Sequence, residues 1–223
     1  MGKSKRSAAR ALDWLATRAE VVAVVAPEPD RWTHDEQRVD LVAERHGLTL
    51  VSEAQLYDGA PADVDLVISF LFWNRIREPL ISAGRIGCLN FHPAPLPDFR
   101  GLGGLNVAIL DGLAEWGVSC HFVDEHFDTG DLVEVSRFAI DAARETAFSL
   151  DLESQERLFG LFVGVMQDAL AGRRLARFPQ GEGRYVTRAE FEALRLVRPG
   201  DDLERKLRAF WYPPHPGALV EVN

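Results

Sequence analysis

The chain of 223 residues is poor in cysteine, with two, and in methionine and tyrosine, with two and three. Cys88 and Cys120 stand in apolar, strand-like runs rather than in a spaced framework. That excludes a disulfide scaffold and reads as buried free thiols in a reducing compartment. No run approaches the ~20 apolar residues of a membrane span, and no apolar signal segment opens the chain, so a cytoplasmic protein is expected. Positive charge is short as well: 25 Lys and Arg face 34 Asp and Glu, a net charge of −9. Polyanion ligands need clustered Lys and Arg, so nucleic acid is not the expected partner. No His, Cys and Asp group has zinc-ligand spacing, and no metal is expected. Gly2-Lys3-Ser4 lacks the preceding glycine-rich turn of a phosphate loop.

What is present suffices for a folded enzyme-sized domain. Hydrophobic residues make up 47% of the chain, and the length suits one α/β domain with a short appendage. An amphipathic pattern over Ala8–Arg18 predicts a helix. Short apolar runs at Glu20–Ala26, Leu48–Ser52 and Val64–Phe72 predict strands, the first buried on both faces. Helices are expected from Thr33 to His46, after Pro79, and over Leu105–Leu113. Gly117–Val123 and Leu132–Ile140 read as strands, and Thr146–Ala171 as a long amphipathic helix. Strand and helix alternate, which argues a parallel sheet with helices on its faces. Composition changes at Phe178, so residues 1–177 are read as the main domain. Residues 178–223 are read as a short extension with helices at Ala189–Leu196 and Asp202–Trp211.

The stretch Gly87–Gly101 organises the rest. A strand ending at Phe91 delivers Asn90 and His92 two residues apart, and alternation puts both on one side. Pro93, Pro95 and Pro97 then turn the backbone away. Downstream, Val123-Asp124-Glu125-His126-Phe127-Asp128-Thr129-Gly130-Asp131 places carboxylates in a loop between two strands. An amide, an imidazole and a carboxylate at strand ends are the parts of a polar reaction centre that needs no metal.

Asn-x-His-Pro-x-x-Leu-Pro-x-Phe-Arg-Gly at 90–101, followed by Asp-x-Gly-Asp at 128–131, resembles the folate-dependent formyltransferases. That group includes the sugar N-formyltransferases and the catalytic domain of methionyl-tRNA formyltransferase. The resemblance runs from about Val21 to Ala218 and is densest from Val67 to Val133. It implies a Rossmann-like, doubly wound, mostly parallel sheet, and N10-formyltetrahydrofolate as formyl donor. It also implies Asn90, His92 and Asp128 as the catalytic set. Attack of an amine on a formyl carbon builds charge on oxygen and leaves a proton to remove. Asn90 can donate to that oxygen; His92 and Asp128 can handle the proton, in an order left open. The resemblance further carries the folate site onto Phe72, Trp73 and Ile76, and onto Val123, Asp124, Glu125, His126 and Phe127. Pro93, Arg100 and Gly101 fall where the loop meets the acceptor. The remaining histidines, His121 within its strand included, are given no catalytic part.

Two departures stand out. Family members open with a strand, whereas this chain opens directly on a helix, so the first strand reads as missing. In a doubly wound sheet that strand is usually central. Secondly, Asp202–Val222 resembles the segment that introduces a C-terminal barrel in methionyl-tRNA formyltransferase, and the sequence stops there. The expected acceptor is therefore a small amine, most readily an amino sugar on a nucleotide carrier, and the expected state a monomer or homodimer. Methionyl-tRNA as acceptor, formyltetrahydrofolate hydrolysis and a non-catalytic folate- or nucleotide-binding role are the alternatives.

Overall fold

A computed structural model describes residues 1–60 and 62–220. Pro61 of the Gly59–Pro61 loop and the last residues of the Asp202–Val222 segment lie outside the described residues. The strands are β1 (Val64–Phe70), β2 (Gly84–His92), β3 (Phe99–Gly101), β4 (Glu115–Phe122), β5 (Leu132–Ala139) and β6 (Arg184–Val186). The helices are α1 (Arg6–Ala16), α2 (Val39–Arg45), α3 (Glu53–Asp58), α4 (Leu80–Ala83), α5 (Gly104–Leu110), α6 (Ala147–Leu170), α7 (Arg188–Arg195) and α8 (Leu203–Phe210). Among the described residues, none of the helices is long and apolar enough to cross a membrane.

The main sheet has the order β1-β2-β4-β5. β1 and β2 run parallel, while β4 is antiparallel to both β2 and β5. Parallel pairing continues beyond β1 through single bridges, Gly2 to Phe70 and Val24 to Leu50. The α/β, Rossmann-like reading therefore holds, with an antiparallel pair added on the far side. Both faces of the sheet are covered. Phe70, Leu89, Phe91, Val118 and Cys120 join Leu150, Leu158 and Phe162 of α6 in one apolar cluster. Val25, Leu56, Ile76, Leu80 and Cys88 form a second cluster.

Phe162 explains why α6 sits where it does. Its ring meets Phe91 at 5.0 Å, Phe70 at 5.6 Å and Trp14 of α1 at 5.8 Å, each edge-on, the arrangement aromatic quadrupoles favour. The start of α6 is set by Thr146, whose hydroxyl accepts from Ser149 N–H. A buried polar tie joins α1 to α6: Lys5 pairs with Asp151 at 2.9 Å, and Ser7 donates to Gln155 at 3.2 Å. Tyr212 closes the same tie from the C-terminal segment, donating to Asp151 at 2.5 Å.

Three expectations change. Glu20–Ala26 and Leu48–Ser52 were expected as strands but meet only at Val24 and Leu50, with Val24 N–H on Thr49 O at 2.9 Å. A strand persists only where a neighbour satisfies its edge, and on the other side, among the described residues, Gly2 donates to Val25 O at 3.2 Å. The helix expected over 33–46 breaks at Arg38, whose backbone is extended, into a 3-10 turn (Asp35–Gln37) and α2. Ser52 belongs to no strand; it caps α3 in a reciprocal pair with Gln55. Met1–Lys3 lies beside the end of β1, with Phe70 N–H on Met1 O at 2.9 Å and Lys3 N–H on Phe70 O at 3.2 Å.

The C-terminal segment folds back onto the main body. β6 pairs in parallel with β3, and α8 packs on α5, burying Ala209 and Phe210 in the main cluster.

Phe162→Ala empties the junction of β1, β2, α1 and α6, and is expected to cost about 3–5 kcal/mol. Thr146→Ala removes only a cap and is expected to cost about 1 kcal/mol. Urea denaturation of the two variants beside the parent chain measures both, and equal losses would show that Phe162 is not the keystone.

Candidate active site

The end of β2 carries the site. Asn90 and His92 lie on one face of the strand, and Phe91 between them is fully buried on the other. Pairing extends this polar face sideways. Asn90 stands opposite Ser69 on β1 and His121 on β4, while His92 stands opposite Ser119. Opposed residues in a ladder share a face, so two serines and three polar site residues are assembled on one side of three strands.

Each polar group is held. Ser69 Oγ donates to Asn90 Oδ1 at 2.7 Å, which turns the amide nitrogen the other way. His121 Nδ1 lies 2.7 Å from Phe122 O, a pure acceptor, and so carries the proton. Its Nε2 is left to accept from Asn90 Nδ2 at 3.0 Å. An amide nitrogen has two hydrogens; one is engaged by His121 and the second remains to aim at a substrate oxygen. Ser119 Oγ clips the proline loop, donating to Ala94 O at 2.8 Å and accepting from Leu96 N–H at 2.9 Å.

Asp128 arrives from the loop between β4 and β5. That loop is drawn against β4 at Gly130, where an added Cβ would stand 2.0 Å from Phe122 O. Asp128 itself takes a left-handed backbone, φ 58°, a conformation aspartate tolerates better than most side chains. Its Oδ1 lies 3.5 Å from His92 Nδ1 and 3.7 Å from His121 Nε2, and its Oδ2 accepts from Gly101 N–H at 3.1 Å. Gly101 is at φ 81°, and a Cβ there would come 2.6 Å from Val186 O. Only glycine brings that N–H to the carboxylate.

The electrostatics follow from burial and these contacts. Burial by itself would raise the Asp128 pKa, but His92 and the Gly101 N–H outweigh it and hold the carboxyl well below its ordinary range. Burial pushes the His92 pKa down; Asp128 opposes this and His121 adds to it. His92 Nε2 also faces Phe99 O at 3.3 Å, so both its ring nitrogens look at acceptors. At neutral pH the pair rests as imidazole and carboxylate, in a setting arranged to receive a proton.

The other expected residues divide. Phe72 and Trp73 follow β1, their rings 4.5 Å apart, with Trp73 46% exposed. Ile76 is buried in the second apolar cluster. Val123 N–H is spent on Cys88 O at 2.8 Å. Asp124 shapes its own loop, accepting from His126 N–H and Thr129 Oγ1 at 2.9 and 2.7 Å. Glu125, His126 and Phe127 line an open cleft of about 370 Å³ with Thr129, Arg75, Arg100 and Tyr185. Pro93 is half-buried directly after His92. Arg100 holds the extension, donating to Gln180 Oε1 at 3.0 Å and Gly181 O at 2.9 Å. Its Nε is buried without a partner among the described residues. His121, Ser69 and Arg75 are the residues that sequence reasoning missed. Alternation in Ser119-Cys120-His121 was the available signal for His121, since it sets a histidine on the face opposite a cysteine.

Asp128, held below its ordinary 3.8, stabilises the fold above the unfolded-state value, and that contribution drains away as pH falls through the folded one. Asp128→Asn is therefore expected to flatten the loss of stability below about pH 4. Urea midpoints from pH 5 down to pH 3 check it; parallel curves for parent and variant would contradict it.

Comparison with known proteins shows the family. The model of the formyl transferase family matches residues 8–157. A methionyl-tRNA formyltransferase of Parvibaculum lavamentivorans is 32% identical, over 93% of this chain and 70% of its own length. A GDP-perosamine N-formyltransferase of Brucella melitensis is 30% identical, over 74% of this chain and 64% of its own. The chain thus spans about two thirds of the length of these relatives. An N-formyltransferase of Helicobacter canadensis, solved with folinic acid and dTDP-3-aminofucose, superposes with a TM-score of 0.80 at 18% identity, over 100% of this chain and 82% of that one. With the motif, the fold and the family model in agreement, the chain belongs to the formyl transferase family.

Proposed function

We propose that this protein transfers the formyl group of N10-formyltetrahydrofolate to the amine of a nucleotide-linked amino sugar, with Asn90, His92 and Asp128 as its catalytic residues. The observation that carries this reading is their clustering: Asn90 Nδ2 lies 3.0 Å from His121 Nε2, His121 Nε2 3.7 Å from Asp128 Oδ1, and Asp128 Oδ1 3.5 Å from His92 Nδ1. For the folate, Trp73 offers an exposed ring with half-buried Phe72 beside it, centroids 4.5 Å apart, and Glu125, His126 and Phe127 of the 123–127 loop line the cleft.

The donor supplies the formyl carbon. As the amine attacks, negative charge grows on the formyl oxygen, and the second N–H of Asn90 is placed to receive it. The amide is already oriented by Ser69 and His121, so no reorganisation is needed when the charge appears. His92 rests neutral and takes up the amine proton, and Asp128 beside it stabilises the resulting imidazolium.

The acceptor assignment rests on the cleft and on charge. Arg75, Arg100, Phe127 and Tyr185 offer two guanidiniums for a diphosphate and two rings for a base. The net charge of −9 disfavours tRNA. Residues 178–223 we read as an extension that serves the acceptor side, since it brings Tyr185 to the cleft.

Formyl transfer from N10-formyltetrahydrofolate to GDP- and dTDP-linked amino sugars, followed by product mass, tests the proposal. Turnover is expected with an amino sugar nucleotide. Transfer only to methionyl-tRNA, or formate release that ignores the acceptor, would replace it. Asn90→Ala is expected to lower kcat about 100- to 1000-fold. His121→Ala frees the Asn90 amide and is expected to lower kcat about 100-fold with KM for the donor unchanged. His121→Gln, which keeps an acceptor, should recover most of that loss; equal loss in both would assign His121 to packing. Arg75→Ala is expected to raise KM for the nucleotide sugar about tenfold, roughly 1.4 kcal/mol of binding.

A further inference from the structure

The C-terminal extension crosses both loops of the site before it reaches α7. Phe178 meets Leu132 just past the Asp128 turn, its N–H on Leu132 O at 3.0 Å and its O taking the Leu132 N–H at 2.8 Å. Gly183 is pressed on the proline loop, where an added Cβ would stand 1.7 Å from Pro97 O. Arg184 N–H then donates to Asp98 O at 3.3 Å, and Val186 O accepts from Leu102 N–H at 3.0 Å. Between the two crossings stands Gln180, half-buried.

Gln180 bonds in two directions at once. Its Oε1 accepts from Arg100 Nη2 at 3.0 Å, and its Nε2 donates to Gly130 O at 2.6 Å. The partners fix which end of the amide is which, because a guanidinium only donates and a backbone carbonyl only accepts. A carboxylate at this place would serve Arg100 but not Gly130, and an ammonium would serve Gly130 but not Arg100. A primary amide serves both.

Each partner belongs to the site. Gly130 lies two residues past Asp128 on the same turn. The side-chain bonds on Asp124, from His126 N–H and Thr129 Oγ1, stay within that turn, whereas Gln180 holds it from outside. Arg100 directly precedes Gly101, whose N–H donates to Asp128 Oδ2. A ring is thereby closed: Gly101 is bonded to Asp128, and Arg100 is bonded through the Gln180 amide to Gly130. Both bonds from Arg100 to the extension use Nη2. Among the described residues, that leaves Nη1 to the cleft that Arg100 lines.

We propose that Gln180 is a positioning residue for formyl transfer, its one amide setting both the Asp128 turn against Gly101 and the Arg100 guanidinium in the cleft. This rests on the roles proposed above for Asp128 and Arg100. A proton-handling group misplaced by about 1 Å loses on the order of 100-fold in rate, so a tie two residues from Asp128 acts on kcat. The tie to Arg100 acts on binding of the nucleotide sugar. The two ends of one side chain therefore govern two separable kinetic constants.

Two variants separate the ends. Gln180→Met keeps the length and bulk of the side chain and loses both bonds. Gln180→Glu, assayed at about pH 8 where the carboxyl is ionised, keeps the acceptor for Arg100 and sets an oxygen against Gly130 O. In the Met variant kcat is expected to fall about tenfold or more, and KM for the nucleotide sugar to rise about tenfold. The Glu variant is expected to show the same fall in kcat, with KM within about twofold of the parent. Hydrogen exchange of the Gly101 amide is expected to quicken at least about tenfold in both, a readout that needs no substrate. If the parent chain formylates no amino sugar, the reading of function falls, and Gly101 exchange decides whether Gln180 sets the turn. A folded Met variant with parent kcat or parent Gly101 exchange would overturn the proposal and leave Gln180 as packing. Parent kcat in the Glu variant, or an equal rise of KM in both variants, would overturn it as well.

Discussion

The site depends on one cross-strand register, Asn90 on β2 opposite His121 on β4. Antiparallel pairing at this point brings two histidines, an asparagine and Ser119 to a common face, the parallel β1–β2 pairing adds Ser69, and Phe91 and Cys120, paired with each other, enter the core beneath them. A slip of one residue would exchange the two sets and bury the polar groups in the cluster around Phe162. The aromatic packing on one face and the polar network on the other therefore enforce the same register. Core stability and site geometry are one constraint here, seen from two sides.

Asp128 shows how a buried charge is kept ionised where burial opposes it. The carboxylate receives the Gly101 N–H and lies beside His92, and these contacts exceed the desolvation that would otherwise protonate it. The arrangement draws on the extension as well. Gly101 belongs to β3, β3 pairs with β6, and the backbone of Val186 on β6 leaves room at Gly101 for glycine alone. The short parallel pair of strands thereby reaches from the C-terminal segment to the Asp128 carboxylate.

The N-terminal half obeys the same edge logic with the opposite result. β2, β4 and α6 meet complementary partners along their length, with one register shift in the β1–β2 pairing and one in the β4–β5 pairing. Val21–Val25 and β1 face each other across a gap that Met1–Lys3 only begins to close, and the first of these segments fails to become a regular strand. The difference lies in available partners rather than in β propensity, since Glu20–Ala26 is among the most apolar runs in the chain.

The sequence by itself determined the elements whose signals are local: the β2 strand and its proline stop, the capped helix α6, the alternation that pairs Asn90 with His92, and the Asp-x-Gly-Asp turn. Each rests on periodicity, capping or steric rules that act within a few residues. Only the tertiary structure decided what lies opposite what. His121 became the acceptor for Asn90 through strand register, Ser69 its anchor through a neighbouring strand, and Gly101 the donor to Asp128 through the β3–β6 pairing. Ser52 became a helix cap rather than a strand end, and Val24 a single bridge rather than a strand. Hydrogen-bond partners many residues apart are set by how edges and faces meet, and that is a property of the assembled sheet rather than of any stretch within it.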